Sequence, residues 1–352
     1  MEGLAGWMYD HRRRPRGGRG REAPDPGEPA AVWTERELLG GEHVDALVAV
    51  LRTRGCSHER LHGGCTMCGY ASDTPAEPPT EEQLLAQVSA VAARRRGAPW
   101  VKLYTSGSML DPDEVPPRVL DAMLEAFGDA RRLTVESRAE HVTVERVRAL
   151  ASRSRLEVAI GLESACDAVL EGSVAKAMTL ADFRRAAADV RAGGAALRAY
   201  VLLKPPLLTE AEAIDDAVEA AAAALSAGAA VVSVNPVNVQ AGTLVDFLAH
   251  RGEYEPPWLW SVVEALRRAQ AVAPAGAQVL SSPTAGGTTR GAHNCGACDR
   301  GVLAAIERHR LEANPRALDA IEGCGCHDQW RAQLALEGLM QGPFGPRGYR
   351  RG

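Results

Sequence analysis

The sequence predicts an α/β fold built on a parallel sheet, and three observations carry that expectation. About six short apolar runs alternate with helical patterns between residues 46 and 234, the order of strand–helix units in a parallel sheet. Five of these runs end in hydrogen-bonding groups: Thr105-Ser106-Gly107-Ser108, Glu136-Ser137-Arg138, Gly161-Leu162-Glu163-Ser164, Lys204-Pro205-Pro206 and Asn235-Pro236. Ligands bind at the carboxyl ends of strands in such sheets, so five polar ends in succession predict a lined cavity. Finally, seven of the eight cysteines fall into two groups, Cys56, Cys65 and Cys68, then Cys295, Cys298, Cys324 and Cys326; Cys166 stands alone as a packed cysteine. In a chain expected to be cytoplasmic, such grouping points to metal before disulfides.

Taken in order, residues 1–30 read as a basic tail. Arg12, Arg13, Arg14, Arg16, Arg19 and Arg21 lie among Gly and Pro, and within the first 21 residues only Glu2 and Asp10 oppose them. Such a stretch buries too little to offset its ordering entropy; a solvated extension is the first reading, a phosphate-seeking arm for RNA the second. Ala46–Thr53 predicts the first strand, running into the first cysteine group. Thr80-Glu81-Glu82-Gln83 is a capping box opening a helix to about Arg96. Trp100–Tyr104 is a strand, and Pro116 suits the start of a helix through Phe127. Leu133–Val135 is a strand with a helix from Thr143; Leu156–Ile160 is a strand, and Thr179–Ala192 a helix ended by Gly193-Gly194. Leu197–Leu203, Thr209–Ser226 and Ala230–Val234 predict strand, helix and strand.

Composition bounds the function only loosely. A chain of 352 residues with 46% hydrophobic content has material for one large domain or two. No run of 18 apolar residues occurs, so no membrane span or membrane partner is expected. The net charge of -5 neither demands nor forbids nucleic acid. Only Lys102, Lys176 and Lys204 are lysines, in a chain that otherwise uses Arg.

The first cysteine group, CSHERLHGGCTMCG from Cys56, has the spacing C-x8-C-x2-C. Thiolates suit both zinc and iron–sulfur clusters. Structural zinc needs a fourth ligand, from His58 or His62; a four-iron cluster is content with three cysteines and keeps one iron open. Placement at the mouth of a parallel barrel favours the open iron. The second group, HNCGACD (His293–Asp299) and GCGCHD (Gly323–Asp328), supplies four thiolates from two short turns. A closed zinc site comes first there, with a second cluster or unligated thiols as alternatives.

The three-cysteine loop after the first strand, with Met67 before the last cysteine, resembles the radical S-adenosylmethionine enzymes. Their usual first gap is three residues, from which the eight found here depart; a longer gap is typical of the branch containing Elongator's catalytic subunit. The segments YTSGSMLDPDEVP, LTVESRAEHV, VAIGLESACD, YVLLKPPLLTEAEAI, SVNPVNVQAGTLVDFL and PPWLWSVVEAL are similar to the radical subunits of archaeosine synthases, over roughly residues 40–330. The resemblance implies a partial (β/α)6 barrel over 40–250 and a C-terminal extension with a metal site over 251–340. It implies a [4Fe-4S] cluster on Cys56, Cys65 and Cys68, with S-adenosylmethionine on its open iron, cleaved by one electron to a 5′-deoxyadenosyl radical. Ser106, Gly107 and Ser108 would meet the methionine amino group, and Glu163 the ribose. Glu136, Arg138 and Lys204 are the expected catalytic and cavity groups, with Arg138, Arg198 or Lys204 recognising the free end of a lysine.

The reaction implied is the second half of archaeosine formation in tRNA: cleavage of the carbon–nitrogen bond of a lysine added to 7-cyano-7-deazaguanine. A lysine-transferring archaeosine synthase subunit, tRNA and a reductant protein are the implied partners. Two other readings stay open, a radical enzyme for another tRNA nucleoside or deazaguanine substrate, and a non-enzymatic zinc-bearing RNA-binding protein.

Overall fold

The structure, a computed structural model, describes residue 6 and residues 25–70, 74–75 and 77–339. The arginines of the basic tail lie outside the described residues. The described chain forms two compact units interleaved in sequence: 25–64, 69–160 and 185–197 in the first, and 65–68, 161–184 and 198–339 in the second.

In the first unit, β1 (Ala31–Leu39) turns through Gly40-Gly41 into β2 (Glu42–Val50), an antiparallel hairpin with Leu39 opposite Glu42. Two helices follow, α1 (Ser57–His62) and α2 (Glu81–Ala93). The capping box of α2 is present in both directions: the Gln83 amide donates to the Thr80 hydroxyl at 3.2 Å, and the Thr80 amide to Gln83 Oε1 at 2.8 Å. Then come β3 (Trp100–Tyr104), α3 (Pro117–Phe127), β4 (Arg132–Ser137), α4 (Val144–Ala151) and β5 (Leu156–Glu163), whose last three residues are counted with the second unit. Strands β2 to β5 are parallel and neighbour one another in chain order, with Ala46 opposite Trp100, Trp100 opposite Arg132 and Leu133 opposite Leu156. This register aligns the carboxyl ends where the polar motifs sit. Trp100, Phe127, Met123 and Leu133 are buried in this unit's core, and burying such side chains contributes about 1.5–3 kcal/mol each.

Helix α5 (Leu180–Ala192) and strand β6 (Ala196–Leu203) pass between the units in sequence. The second unit continues through α6 (Glu210–Ser226), β7 (Val231–Pro236), α7 (Leu244–His250), α8 (Leu259–Ala271), β8 (Gln278–Leu280), α9 (Asp299–Glu312) and α10 (Gly325–Glu337). Strands β6, β7 and β8 are parallel and again in chain order. The inner face of α6 is alanine, with Ala213, Ala217, Ala220, Ala221 and Ala224 all fully buried, so neighbouring backbones approach closely. Among the described residues no helix is long and apolar enough to cross a membrane.

Strand order without reversal within each unit is the order of a (β/α) barrel; a doubly wound sheet reverses at its switch point. The expected α/β partial barrel is therefore the fold, its six strand–helix units running from β2 to β7. Two strands were not anticipated. Strand β1 carries Glu35, Arg36 and Glu37 in its middle, which masks its pattern, yet Lys102 of β3 reaches Glu35 at 2.8 Å and pairs with Glu37. Strand β8 spans three residues, too short for any periodicity.

Candidate active site and thiolate centre

Cys56 precedes α1, and its carbonyl accepts the Arg60 amide at 3.0 Å. Its backbone lies against the loop after β3. A Cβ at Gly107 would stand 2.6 Å from Cys56 Cα, so glycine is required there by close approach. The loop is held from beneath by Glu114, which sequence reasoning missed. Its Oε1 accepts the Thr53 hydroxyl and its Oε2 the Ser108 amide, both at 2.6 Å. Burial pushes the Glu114 carboxyl above its ordinary value of 4.5, although the bonds from Thr53 and Ser108 pull it down. The Ser108 hydroxyl accepts the Arg138 amide at 3.0 Å, leaving half-buried Ser106 as the outward residue of the motif. Glu136, at the end of β4, accepts the Thr105 amide at 3.1 Å and so ties two strand ends together. Arg138 is buried and its Nε meets Glu140 at 2.5 Å. Burial works against the charge of Glu140, but the Arg138 guanidinium outweighs it and holds that carboxyl below the usual range.

Cys65 and Cys68 belong to the second unit, where the buried Thr66 anchors them. The Thr66 amide donates to the Val174 carbonyl at 3.0 Å and its hydroxyl to the Ser173 carbonyl at 2.7 Å. Its own carbonyl accepts the Leu244 amide at the start of α7, at 2.9 Å. The position between two cysteines is thereby fixed from both sides. In the same unit Glu163 Oε1 accepts Lys176 Nζ at 2.6 Å, and a Cβ at Gly161 would sit 2.6 Å from that ammonium. Lys204 Nζ lies 2.7 Å from Oε2 of the fully buried Glu210, outside hydrogen-bond geometry, so the contact is coulombic. The Tyr254 hydroxyl donates to the Lys204 carbonyl at 2.8 Å; burial, then Glu210, push that hydroxyl's pKa well up. Glu163 and Lys204 both adopt left-handed backbone, φ +68° and +61°, a cost of about 1–3 kcal/mol each that concentrates at functional sites. Arg198 lies near the amino end of β6, its guanidinium 3.1 Å from the Ser233 hydroxyl, away from the polar strand ends.

The second cysteine group comes together within the second unit. The sulfurs of Cys295, Cys298, Cys324 and Cys326 all lie within 4.8 Å of one another. Backbone amides of Cys298 and then Ala297 bring the exposed Cys295 thiol down to about 7, whereas burial pushes Cys298 up to about 12 and Cys326 upward. Sequence spacing identified the four sulfurs but not their donors: Asn294 Nδ2 stands 3.3 Å from Cys298 Sγ and Trp260 Nε1 3.2 Å from Cys326 Sγ.

Polar strand ends and a four-thiolate cage define the class, a (β/α)-barrel enzyme with a thiolate site that could hold a metal ion. The chain belongs to the archaeosine synthase subunit beta family. It is 37% identical to archaeosine synthase subunit beta of Methanosarcina acetivorans over 91% of this chain and 94% of that one. It is 35% identical to the subunit of the same name from Thermococcus kodakarensis, over 88% and 97%. No family model matches the chain. Among solved structures, Methanocaldococcus infernus Elp3 lacking its first 46 residues is similar at 14% identity and a TM-score of 0.47, covering 75% of this chain and 63% of that one.

Proposed function

We propose that this chain is the radical subunit of an archaeosine synthase and cleaves the carbon–nitrogen bond of a lysine adduct of 7-cyano-7-deazaguanine in tRNA. The observation that carries the reading is near-full-length identity to proteins named archaeosine synthase subunit beta. Their designation as one subunit also supports a companion chain; we take this to be the lysine-transferring one, with tRNA and a reductant protein as the further partners of the proposed reaction.

Cys56, Cys65 and Cys68 would hold a [4Fe-4S] cluster, and their donor chemistry suits one. Three thiolates are the soft donors it needs. With S-adenosylmethionine bound, this cofactor pair supplies a radical that takes a hydrogen atom from the substrate. The protein's part is placement and exclusion of water. Ser106, Gly107 and Ser108 would receive the methionine end of S-adenosylmethionine and Glu163 its ribose, with Lys176 fixing the Glu163 carboxylate. Glu136 positions the loop that bears Thr105. Arg138 suits the lysine carboxylate better than Lys204 does. Its partner Glu140 has a side chain 45% exposed and can be displaced, whereas the partner of Lys204 is fully buried.

The test is anaerobic incubation with lysine-modified tRNA, S-adenosylmethionine and reductant, scored for the formamidine base by mass spectrometry. Conversion of the base is expected. Cleavage of S-adenosylmethionine without conversion would shift the reading to another tRNA or deazaguanine substrate. A colourless, iron-free protein from anaerobic purification would overturn radical chemistry altogether.

A further inference from the structure

The four-cysteine cage of the second unit plays no part in the proposed reaction. We propose that Cys295, Cys298, Cys324 and Cys326 hold one tetrahedral zinc ion that clamps the turn at 293–299 and the start of α10 to helix α8. Spacing alone left zinc, a second cluster and unligated thiols open; geometry separates them. Three sulfur pairs stand 3.5, 3.6 and 3.9 Å apart. Four sulfurs at about 2.3 Å from one zinc lie roughly 3.8 Å from each other, by tetrahedral geometry. A four-iron cubane directs each thiolate outward from a different iron and spreads the sulfurs more widely than the 4.8 Å found here. Four ligands also close the coordination shell, as structural zinc requires and open catalytic zinc does not.

The surroundings suit a dianionic centre. Four thiolates on a divalent ion leave two negative charges, which need donors. Asn294 Nδ2 is directed at Cys298 and Trp260 Nε1 at Cys326, an outer shell of the kind that orients and tunes metal ligands. Asn294 is fixed in turn, since its Oδ1 accepts the Trp260 amide at 3.3 Å and its amide donates to Asp299 Oδ2 at 3.1 Å. Asp299 Oδ1 also accepts the Gly296 amide at 3.0 Å, shaping the turn between the first two cysteines. His327, the neighbour of Cys326, is not a fifth ligand; its ring packs against Trp260 and Trp330, at 4.9 and 5.1 Å between centroids.

The clamp has a further reach inside the unit. His293 exchanges backbone bonds with the 257–259 segment, its amide donating to Pro257 and its carbonyl accepting from Leu259, both at 3.3 Å. The amide of Trp258 donates to Glu210 Oε1 at 2.8 Å, and Glu210 is the partner of Lys204. Zinc therefore steadies, through Trp258 and Glu210, the charged strand end of β6.

The test uses the full chain with Cys56, Cys65 and Cys68 all replaced by Ala, so that any cluster at the other group is removed from the count. Elemental analysis and an acid-labile sulfide assay are expected to give one zinc per chain, without iron or sulfide. Iron with sulfide, iron alone, or a folded metal-free protein would each overturn the assignment. Asn294→Ala keeps all four ligands and is expected to release zinc to a competing chelator with 10- to 100-fold weaker affinity, its circular dichroism unchanged. An unaltered affinity would refute the donor shell. Neither readout depends on tRNA turnover, so failure of the proposed reaction and failure of the zinc site are distinguishable.

Discussion

Around Cys56 the protein makes room for backbone, and around Cys298 and Cys326 it directs N–H donors at sulfur. Gly107 gives up a side chain so that one loop can lie against Cys56, while Asn294 and Trp260 reach into the second group. The first group offers three thiolates divided in sequence between the two compact units; the second offers four, all from one unit. A ligand set one short of closure suits chemistry at an open metal, and a closed set suits mechanical support. On the proposed reading the same amino acid serves two ends, decided by ligand number and by what the neighbouring residues supply.

The largest expected effect divides the two groups outright. Replacing Cys56, Cys65 or Cys68 with Ala should reduce formation of the formamidine base at least about a thousandfold, because the cofactor carries the hard chemistry. Zinc content should stay unchanged, and loss of zinc in the same variants would break the division. Trp260→Phe comes next. It keeps most of the packing but deletes the donor to Cys326, so zinc should bind about 10- to 100-fold more weakly in chelator competition, with iron untouched. Gly107→Ala is smaller and acts on the other side. The added methyl must displace the Cys56 backbone, which overpacking places at about 1–3 kcal/mol. Lower iron retention with normal zinc is the expected pattern, and normal retention of both would argue that the loop yields freely.

Much of this is legible in the sequence. The six strand–helix units, the capping box at Thr80 and the pairing of the two C-terminal cysteine turns all follow from local rules of periodicity, capping and spacing, which act over a few residues. What was hidden depends on partners distant in sequence. Glu114 reads as one acid in an acidic stretch, and only the fold sets it beneath Ser108. Strand β1 looks too charged to pair, until Lys102 arrives from β3 to meet its two glutamates. The rarity of lysine was the one available signal for such contacts. All three lysines turn out to be in buried or half-buried pairs, with Glu35 and Glu37, Glu163, and Glu210. Breaking a buried pair by removing one partner costs about 3–5 kcal/mol, so a lysine variant that loses activity must be checked for folding before a catalytic role is inferred.

The smallest expected effect asks whether the two cysteine groups respond to different stimuli, protons for one and chelators for the other. Glu114 supports the Cys56 side through a carboxyl whose pKa burial raises above 4.5. A carboxyl raised in the folded state binds its proton more tightly there than in the unfolded chain. Its contribution to stability is complete below the unfolded value and is lost as pH rises through the folded one. Glu114→Gln removes that titration, and its amide can still accept from the Ser108 amide while donating to the Thr53 hydroxyl. The change in stability near neutrality should stay within about 1 kcal/mol, with a flatter dependence of the melting temperature on pH above 4.5 than in the parent. Melting curves at successive pH values for both proteins, repeated with chelator, check this. An unchanged pH slope in Glu114→Gln would remove Glu114 as the titrating group. A slope that vanished in the parent once zinc was stripped would show that the two groups are coupled after all.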